Sequence, residues 1–215
     1  MNNFKLVIFD MDGTLLKGRG IFVIAEKKGF YDELIRFIRD DNLEYYERSI
    51  EIARLSKGYH IDEYLEIFSR IPFQNHVEYV IKNLKKQNIK TAIVTDSYQF
   101  LADNIKMRLG IDYAFANKLI TDKNIFTGDL EIHNKELRED FTNRRIYSIC
   151  KSYVLENLGK QLDIPDDEII AIGDGIVDIG MIKKSGLGIA FDAPIEVQRN
   201  ADVCINDMRK ILEYI

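Results

Sequence analysis

The sequence predicts an α/β protein: a doubly wound parallel sheet with a small helical segment inserted after the first strand. Three observations carry that expectation. The first is a set of short, almost wholly apolar runs, "KLVIF" (5–9), "KTAIVT" (90–95), "EIIAI" (168–172), "LGIAF" (187–191) and "DVCI" (202–205). Runs that are apolar without alternation suit strands buried on both faces, as in parallel sheets. The second is helical spacing between those runs. Val77, Val80, Ile81 and Leu84 repeat at that spacing, as do Leu101, Ile105 and Leu109. Val154, Leu155, Leu158 and Leu162 follow, then Met208, Ile211, Leu212 and Ile215. The third is an interval of about sixty residues after the first strand that contains no convincing strand.

Within that interval Leu43, Tyr46, Ile50 and Ala53 share one helical face, and "IDEYLEIFSRI" (61–71) forms a second amphipathic unit before Pro72 stops it. Residues 16–75 are therefore read as a helical cap, and residues 1–15 with 76–215 as the core. The run "YAFANKLITDKNIFTGDLEI" (113–132) holds two β-rich stretches around Asp122-Lys123-Asn124 and predicts a hairpin. A charged stretch, "KELREDFTNRR", lies within 133–148. It is expected to be a solvated helix, with a lid or interface element as the alternative.

At 215 residues, with 46% hydrophobic and 30% charged residues, the chain has the composition of a globular protein. Its net charge of −5 supplies no basic footprint for nucleic acid. Cys150 and Cys204 are too few for a disulfide framework or a metal quartet. No apolar run approaches the length of a membrane span or signal segment. The expectation is a cytoplasmic protein without nucleic-acid or membrane partners; the oligomeric state is left open.

Three predicted strands end in polar groups: Asp10 after "LVIF", Thr95 after "TAIV", and Asp174 in "GDGIVD" after "IIAI". Open α/β sheets bind ligands at the carboxyl ends of their strands, so three distant segments would deliver carboxylates and a hydroxyl to one crevice. Lys151 opens the helix "KSYVLENLGKQL", where a cation opposes the helix dipole and so requires another explanation. Phosphate-ester hydrolysis calls for a nucleophile, a proton shuttle and positive charge around the phosphoryl group. Asp10 and Asp174 suit a shared Mg²⁺, a cation that prefers oxygen ligands, and Asp178 lies one helical turn further on. Asp12 shares a face with Asp10 and is free to shuttle the proton.

"DMDGTLL", Thr95, Lys151 and "GDGIVDIGM" match in order the four motifs of the haloacid dehalogenase superfamily of aspartyl-phosphate phosphatases. "YAFANKLI", "GDGIVDIGMIKKSGLGIAFDAP" and "NADVCI" resemble its phosphoserine phosphatase branch. The resemblance spans residues 4–15 and about 76–215. It implies a Rossmann-like core and Mg²⁺ dependence, with Asp10 as nucleophile and Asp12 as acid/base, its backbone carbonyl on the metal. It further implies that Thr95 and Lys151 grip phosphoryl oxygens and that Asp174 is a metal ligand supported by Asp178. The implied substrate is a small phosphorylated metabolite, with phosphoserine the first candidate.

The resemblance also marks departures. Arg19 stands where the branch has a glutamate for the substrate amine, and Glu66 falls near the position of a carboxylate-binding arginine. Asp96 and Ser97 replace paired glycines after the strand-end hydroxyl, and Val177 replaces an asparagine. Arg19, Glu66, Asp96 and Ser97 are thus the expected substrate-binding positions. The alternatives are the same chemistry on a phosphorylated alcohol or sugar, phosphoryl transfer to an acceptor other than water, and a non-catalytic phosphate-binding module.

Overall fold

A computed structural model describes residues 4–215, so residues 1–3 of the expected core segment lie outside the described residues. The first strand, β1 (Leu6–Phe9), is followed by four helices: α1 (Gly20–Lys28), α2 (Tyr31–Ile38), α3 (Tyr45–Arg54) and α4 (Ile61–Ser69). The chain then alternates through α5 (Val77–Lys86), β2 (Lys90–Tyr98), α6 (Gln99–Leu109), β3 (Tyr113–Asp122) and β4 (Ile125–Glu131). It closes with α7 (Lys151–Leu162), β5 (Ile169–Gly173), α8 (Ile179–Lys184), β6 (Leu187–Phe191), α9 (Ile195–Gln198), β7 (Val203–Ile205) and a 3₁₀ turn over Met208–Tyr214.

The seven strands form one sheet in the order β4-β3-β2-β1-β5-β6-β7, parallel except for β4. Because side chains alternate along a strand, β1 feeds two layers. Val7 and Phe9 join the cluster containing Val80, Ile81, Leu101 and Ile105, whereas Leu6 and Ile8 pack with Val154, Leu155 and Leu158. All four residues of β1 and all five of β5 are buried, which is why neither strand alternates in sequence.

The strand order reverses at β1, since the chain runs outward through β2 and β3 on one side and through β5, β6 and β7 on the other. Phe9 pairs in register with Ile93 of β2 and Ile172 of β5, so β1 and β5 end nearly level while β2 runs on past them to Tyr98. That switch point is where an open α/β sheet leaves a crevice.

Two connections tie α1–α4 to the sheet. The Lys17 N–H donates to the Pro72 carbonyl (2.9 Å), the Gln74 N–H donates to Leu15 (2.9 Å), and Leu16 bridges Phe73. The helices also rest on the hairpin, where Tyr64 of α4 packs on Phe126 and the Gly58 N–H bonds the Phe126 carbonyl. Lys123 and Asn124 both adopt positive φ (48° and 67°), the conformation of a tight hairpin turn whose twist matches the strands.

The expected solvated helix over 133–148 does not form. The segment is an irregular loop held by an antiparallel bridge between Glu139 and Ile146. Buried Asn134 donates to the Arg138 and Tyr147 carbonyls and accepts from the Arg138 N–H, while Asp140 accepts from the Thr142 N–H. Such side chains offer the backbone an alternative to the helix ladder, and they win here. The loop touches the helical segment: the Tyr46 N–H donates to the Ile146 carbonyl, and Arg145 donates to the Tyr45 hydroxyl.

Candidate active site

β1 hands the chain directly to Asp10, whose N–H still donates to Ile172 of β5 (2.9 Å). This ladder bond fixes the carboxyl at the end of the sheet. Thr95 lies in β2 one step beyond the residue level with Asp10, and Asp174 follows β5 directly. Lys151, the first residue of α7, is 1% exposed; its Nζ donates to Asp10 Oδ1 (2.5 Å) and Asp178 Oδ1 (2.6 Å). A lysine at a helix N-terminus is thereby explained, because its charge serves two carboxylates across the sheet end. Asp178 also accepts from the N–H groups of Asp174 (3.1 Å) and Gly175 (2.8 Å), so it orients the lysine and the loop that carries Asp174.

One carboxylate oxygen each from Asp10, Asp174 and Asp178 lies within 4.8 Å of the others. Three carboxyl groups thus crowd one ammonium, more acidic groups than the single cation can balance. Burial pushes the Asp10 pKa well up, Asp178 and Asp174 add to it, and Lys151 offsets only part. Asp174 moves in the same direction through burial and Asp178, against Arg19, Lys151 and the Thr14 hydroxyl. Burial alone would lower the Lys151 pKa, but Asp10, Asp178 and Asp96 outweigh it and hold the ammonium charged. The excess negative charge among hard oxygen donors is what a divalent cation neutralises, so the residues fit a metal.

Asp12 stands apart from this cluster. Its Oδ1 accepts the Gly20 N–H at the start of α1 (2.7 Å), so the same carboxyl touches both the crevice and the helical segment. Burial raises its pKa to about 7, with the Gly20 bond opposing the rise. A carboxylic acid that exchanges its proton near neutrality suits a proton shuttle.

Between Asp10 and Asp174 the chain must turn sharply. Gly13 has φ 95°, and a methyl group there would overlap the Asp174 carboxylate. The Gly13 carbonyl accepts from Gln74 (3.0 Å), and Thr14 donates to Asp174 Oδ1 (3.2 Å).

A cavity of about 400 Å³ opens from these carboxylates and runs between the sheet end and helices α1–α3. Arg19, Asp96 and Ser97 line it, together with Asp10, Asp12, Asp174 and Asp178. Thr95, fully buried in β2, accepts the Ser97 N–H on its Oγ1 (3.2 Å). The Ser97 hydroxyl is buried and has no partner among the described residues. Glu66 does not line the cavity. It projects from the outer face of α4, its side chain 70% exposed, and pairs with Arg70 one turn on (2.5 Å). The expectation of Glu66 as a substrate residue is corrected accordingly.

Residues that the sequence did not single out complete the site. Tyr45, Arg48, Ser49 and Ile52 of α3 face the cavity at i, i+3, i+4 and i+7 spacing, a periodic signal present in the sequence beside the stripe read above. Buried Asn117, inside "YAFANKLI", donates to the Asp96 carbonyl (2.7 Å) and Ser148 Oγ (2.9 Å). It thereby fixes the last residues of β2, just past Thr95.

With this geometry in hand, the similarities to known proteins are specific. The chain is 34% identical to the phosphoserine phosphatase of Methanocaldococcus jannaschii over 98% of this chain and 97% of that one. It is 30% identical to that of Campylobacter jejuni subsp. doylei, with 98% and 99% covered. A solved phospho-aspartyl intermediate analogue of phosphoserine phosphatase superposes with TM-score 0.83 at 33% identity, covering 99% of both chains. A substrate-bound phosphoserine phosphatase complex gives TM-score 0.84 at 33% identity over 100% of both. The profile of the haloacid dehalogenase-like hydrolases matches residues 7–183, from β1 into α8 and across every carboxylate of the cluster, and the chain belongs to that family.

Proposed function

We propose that this phosphatase is a Mg²⁺-dependent phosphomonoesterase that works through an aspartyl-phosphate on Asp10 and acts on a small phosphorylated metabolite. The single observation that carries the reading is the buried Lys151 bridging Asp10 and Asp178 beside Asp174, with Asp12 held separately near neutrality. Asp10 and Asp174 would hold Mg²⁺, the backbone carbonyl of Asp12 joins them by family resemblance, and Asp178 orients the set. When bound, the cation offsets repulsion between the carboxylates and the phosphate dianion and stabilises charge in the transition state.

Asp10 attacks phosphorus with the oxygen that Lys151 does not engage, while Lys151 and the Thr95 hydroxyl hold phosphoryl oxygens. Asp12 gives its proton to the departing alkoxide, leaving an alcohol and a phosphorylated Asp10. Asp12, now ionised, takes a proton from water, which cleaves the acyl phosphate and restores both carboxyls. Helices α1–α4 serve as a cap that excludes bulk water. Arg19, at the junction between Asp12 and α1, faces the same charges as the phosphoryl group. The compartment best suited to these two-cysteine, metabolite-directed features is the cytoplasm.

The test is release of inorganic phosphate from a panel of phosphomonoesters with and without Mg²⁺. Metal-dependent release is expected, and its absence across the panel contradicts the reading.

Two further outcomes follow from the geometry. Gly13→Ala places a methyl group against the Asp174 carboxylate and demands an unfavourable φ. Mg²⁺ affinity is expected to fall about 10–100-fold, the usual cost of disturbing the support of a ligand; calorimetric titration checks it. Asp12 in the metal-free protein keeps its proton up to about pH 7, whereas the unfolded chain loses it near 3.8. The folded state therefore binds more protons across that window, and this contribution to stability declines as pH rises through it. Unfolding midpoints of Asp12→Asn should fall less between about pH 4 and 7 than those of the wild type.

A further inference from the structure

We propose that the alcohol half of the substrate is an extended apolar group, so that the enzyme prefers medium-chain alkyl or aryl monophosphates to phosphoserine. This rests on the phosphomonoesterase reading above and concerns the part of the cavity beyond the phosphoryl site. There the wall is built from Ile21 and Phe22 of α1, Ile38 of α2, Tyr45 and Ile52 of α3, and Tyr147. The sheet side adds the apolar residues Ile176, Val177 and Pro194.

An amino-acid phosphate needs a free cation for its carboxylate and an anion for its ammonium, both placed beyond the leaving oxygen. Two arginines line the cavity, Arg19 at its catalytic end and Arg48 further out, and the Arg48 guanidinium is already engaged. Nε donates to the Leu43 carbonyl (3.1 Å), Nη1 to Ile38 (2.8 Å) and Nη2 to Asp41 (3.3 Å), and the group stacks 4.8 Å from the Tyr45 ring centre. Ser49 and Ser148 bond each other at 3.1 Å, and Ser148 also accepts from Asn117. The charged residues still open to a ligand, Arg19 and Asp96, sit at the catalytic end, where both act on Asp12. A chain leaving the phosphoryl site therefore meets hydrocarbon. The whole cavity, catalytic end included, measures about 400 Å³, within the range of small-molecule sites.

The experiment measures kcat/KM with Mg²⁺ for ethyl, butyl, hexyl and octyl phosphate, and for phosphoserine, with wild type and Asp10→Asn. Each added methylene should raise kcat/KM about fourfold until the cavity fills. Octyl phosphate should exceed phosphoserine, and Ile52→Ala should lower the octyl-to-ethyl ratio. A ratio cancels any general loss of active protein, and the wild-type series stands alone should the variant not fold. A flat series, or phosphoserine exceeding octyl phosphate, overturns the apolar assignment while leaving the phosphatase intact. No turnover of any ester above the Asp10→Asn background removes both.

Discussion

Lys151→Ala is expected to be both the most destabilising and among the most inactivating single changes in this protein. Lys151 is the only cation bonded to Asp10 and Asp178 among the described residues, and all three are almost wholly buried. Removing the ammonium leaves two desolvated carboxylates facing each other and Asp174. Breaking a buried pair in this way typically costs about 3–5 kcal/mol. For a chain of this size that corresponds to a fall in Tm of about 10 °C or more. Lys151→Met, which keeps the aliphatic length, should fall nearly as far, because the loss is of charge and not of volume. Both variants should recover stability as the pH is lowered, since protonating Asp10 relieves the repulsion. Thermal unfolding at neutral and acidic pH checks this; a Tm within about 2 °C of wild type for Lys151→Ala would contradict it.

Asp10→Asn separates chemistry from stability. The amide oxygen keeps an acceptor for Lys151, while one of three crowded negative charges disappears. Because burial and its neighbours raise the pKa of Asp10, its ionised form is disfavoured in the fold, and a neutral replacement removes that penalty at neutral pH. The metal-free variant should therefore melt at or above the wild-type temperature. Turnover should nonetheless fall about 10⁴-fold or more, the scale on which loss of a covalent nucleophile is felt. Phosphate release measured alongside the melting curve checks both halves. Lost activity with a collapsed Tm would reassign Asp10 from chemistry to structure.

The core of this arrangement is readable in the sequence because parallel strands buried on both faces leave uninterrupted apolar runs. Once β1, β2 and β5 are recognised, Asp10, Thr95 and Asp174 must emerge at one end of the sheet. Lys151 stands out for a different reason, as a cation placed against a helix dipole. What lies outside those runs is less legible. Glu66 faces solvent because α4 turns its buried side, Tyr64 and Phe68, toward the hairpin and the other helices, an orientation set by partners distant in sequence. Arg48 carries no sequence signal that tells a free cation from an engaged one, and three acceptors from the end of α2 and the α2–α3 connection claim it. The 133–148 loop carries a helix-compatible run of charges, and the side chains of Asn134 and Asp140 redirect it. In each case helical periodicity competes with a specific contact that it does not encode, and the contact decides.

The claim on which the rest depends is that Asp10 becomes phosphorylated, and Asp12→Asn provides the means to trap it. Acetyl phosphate has a leaving group that needs no proton, so its first step bypasses Asp12, whereas release of the phosphoryl group by water does not. Acid-quenched Asp12→Asn treated with Mg²⁺ and acetyl phosphate should carry one phosphoryl group on the peptide containing Asp10, found by mass spectrometry and discharged by hydroxylamine. An unlabelled Asp10 peptide, in a variant that still consumes acetyl phosphate, would contradict the covalent mechanism.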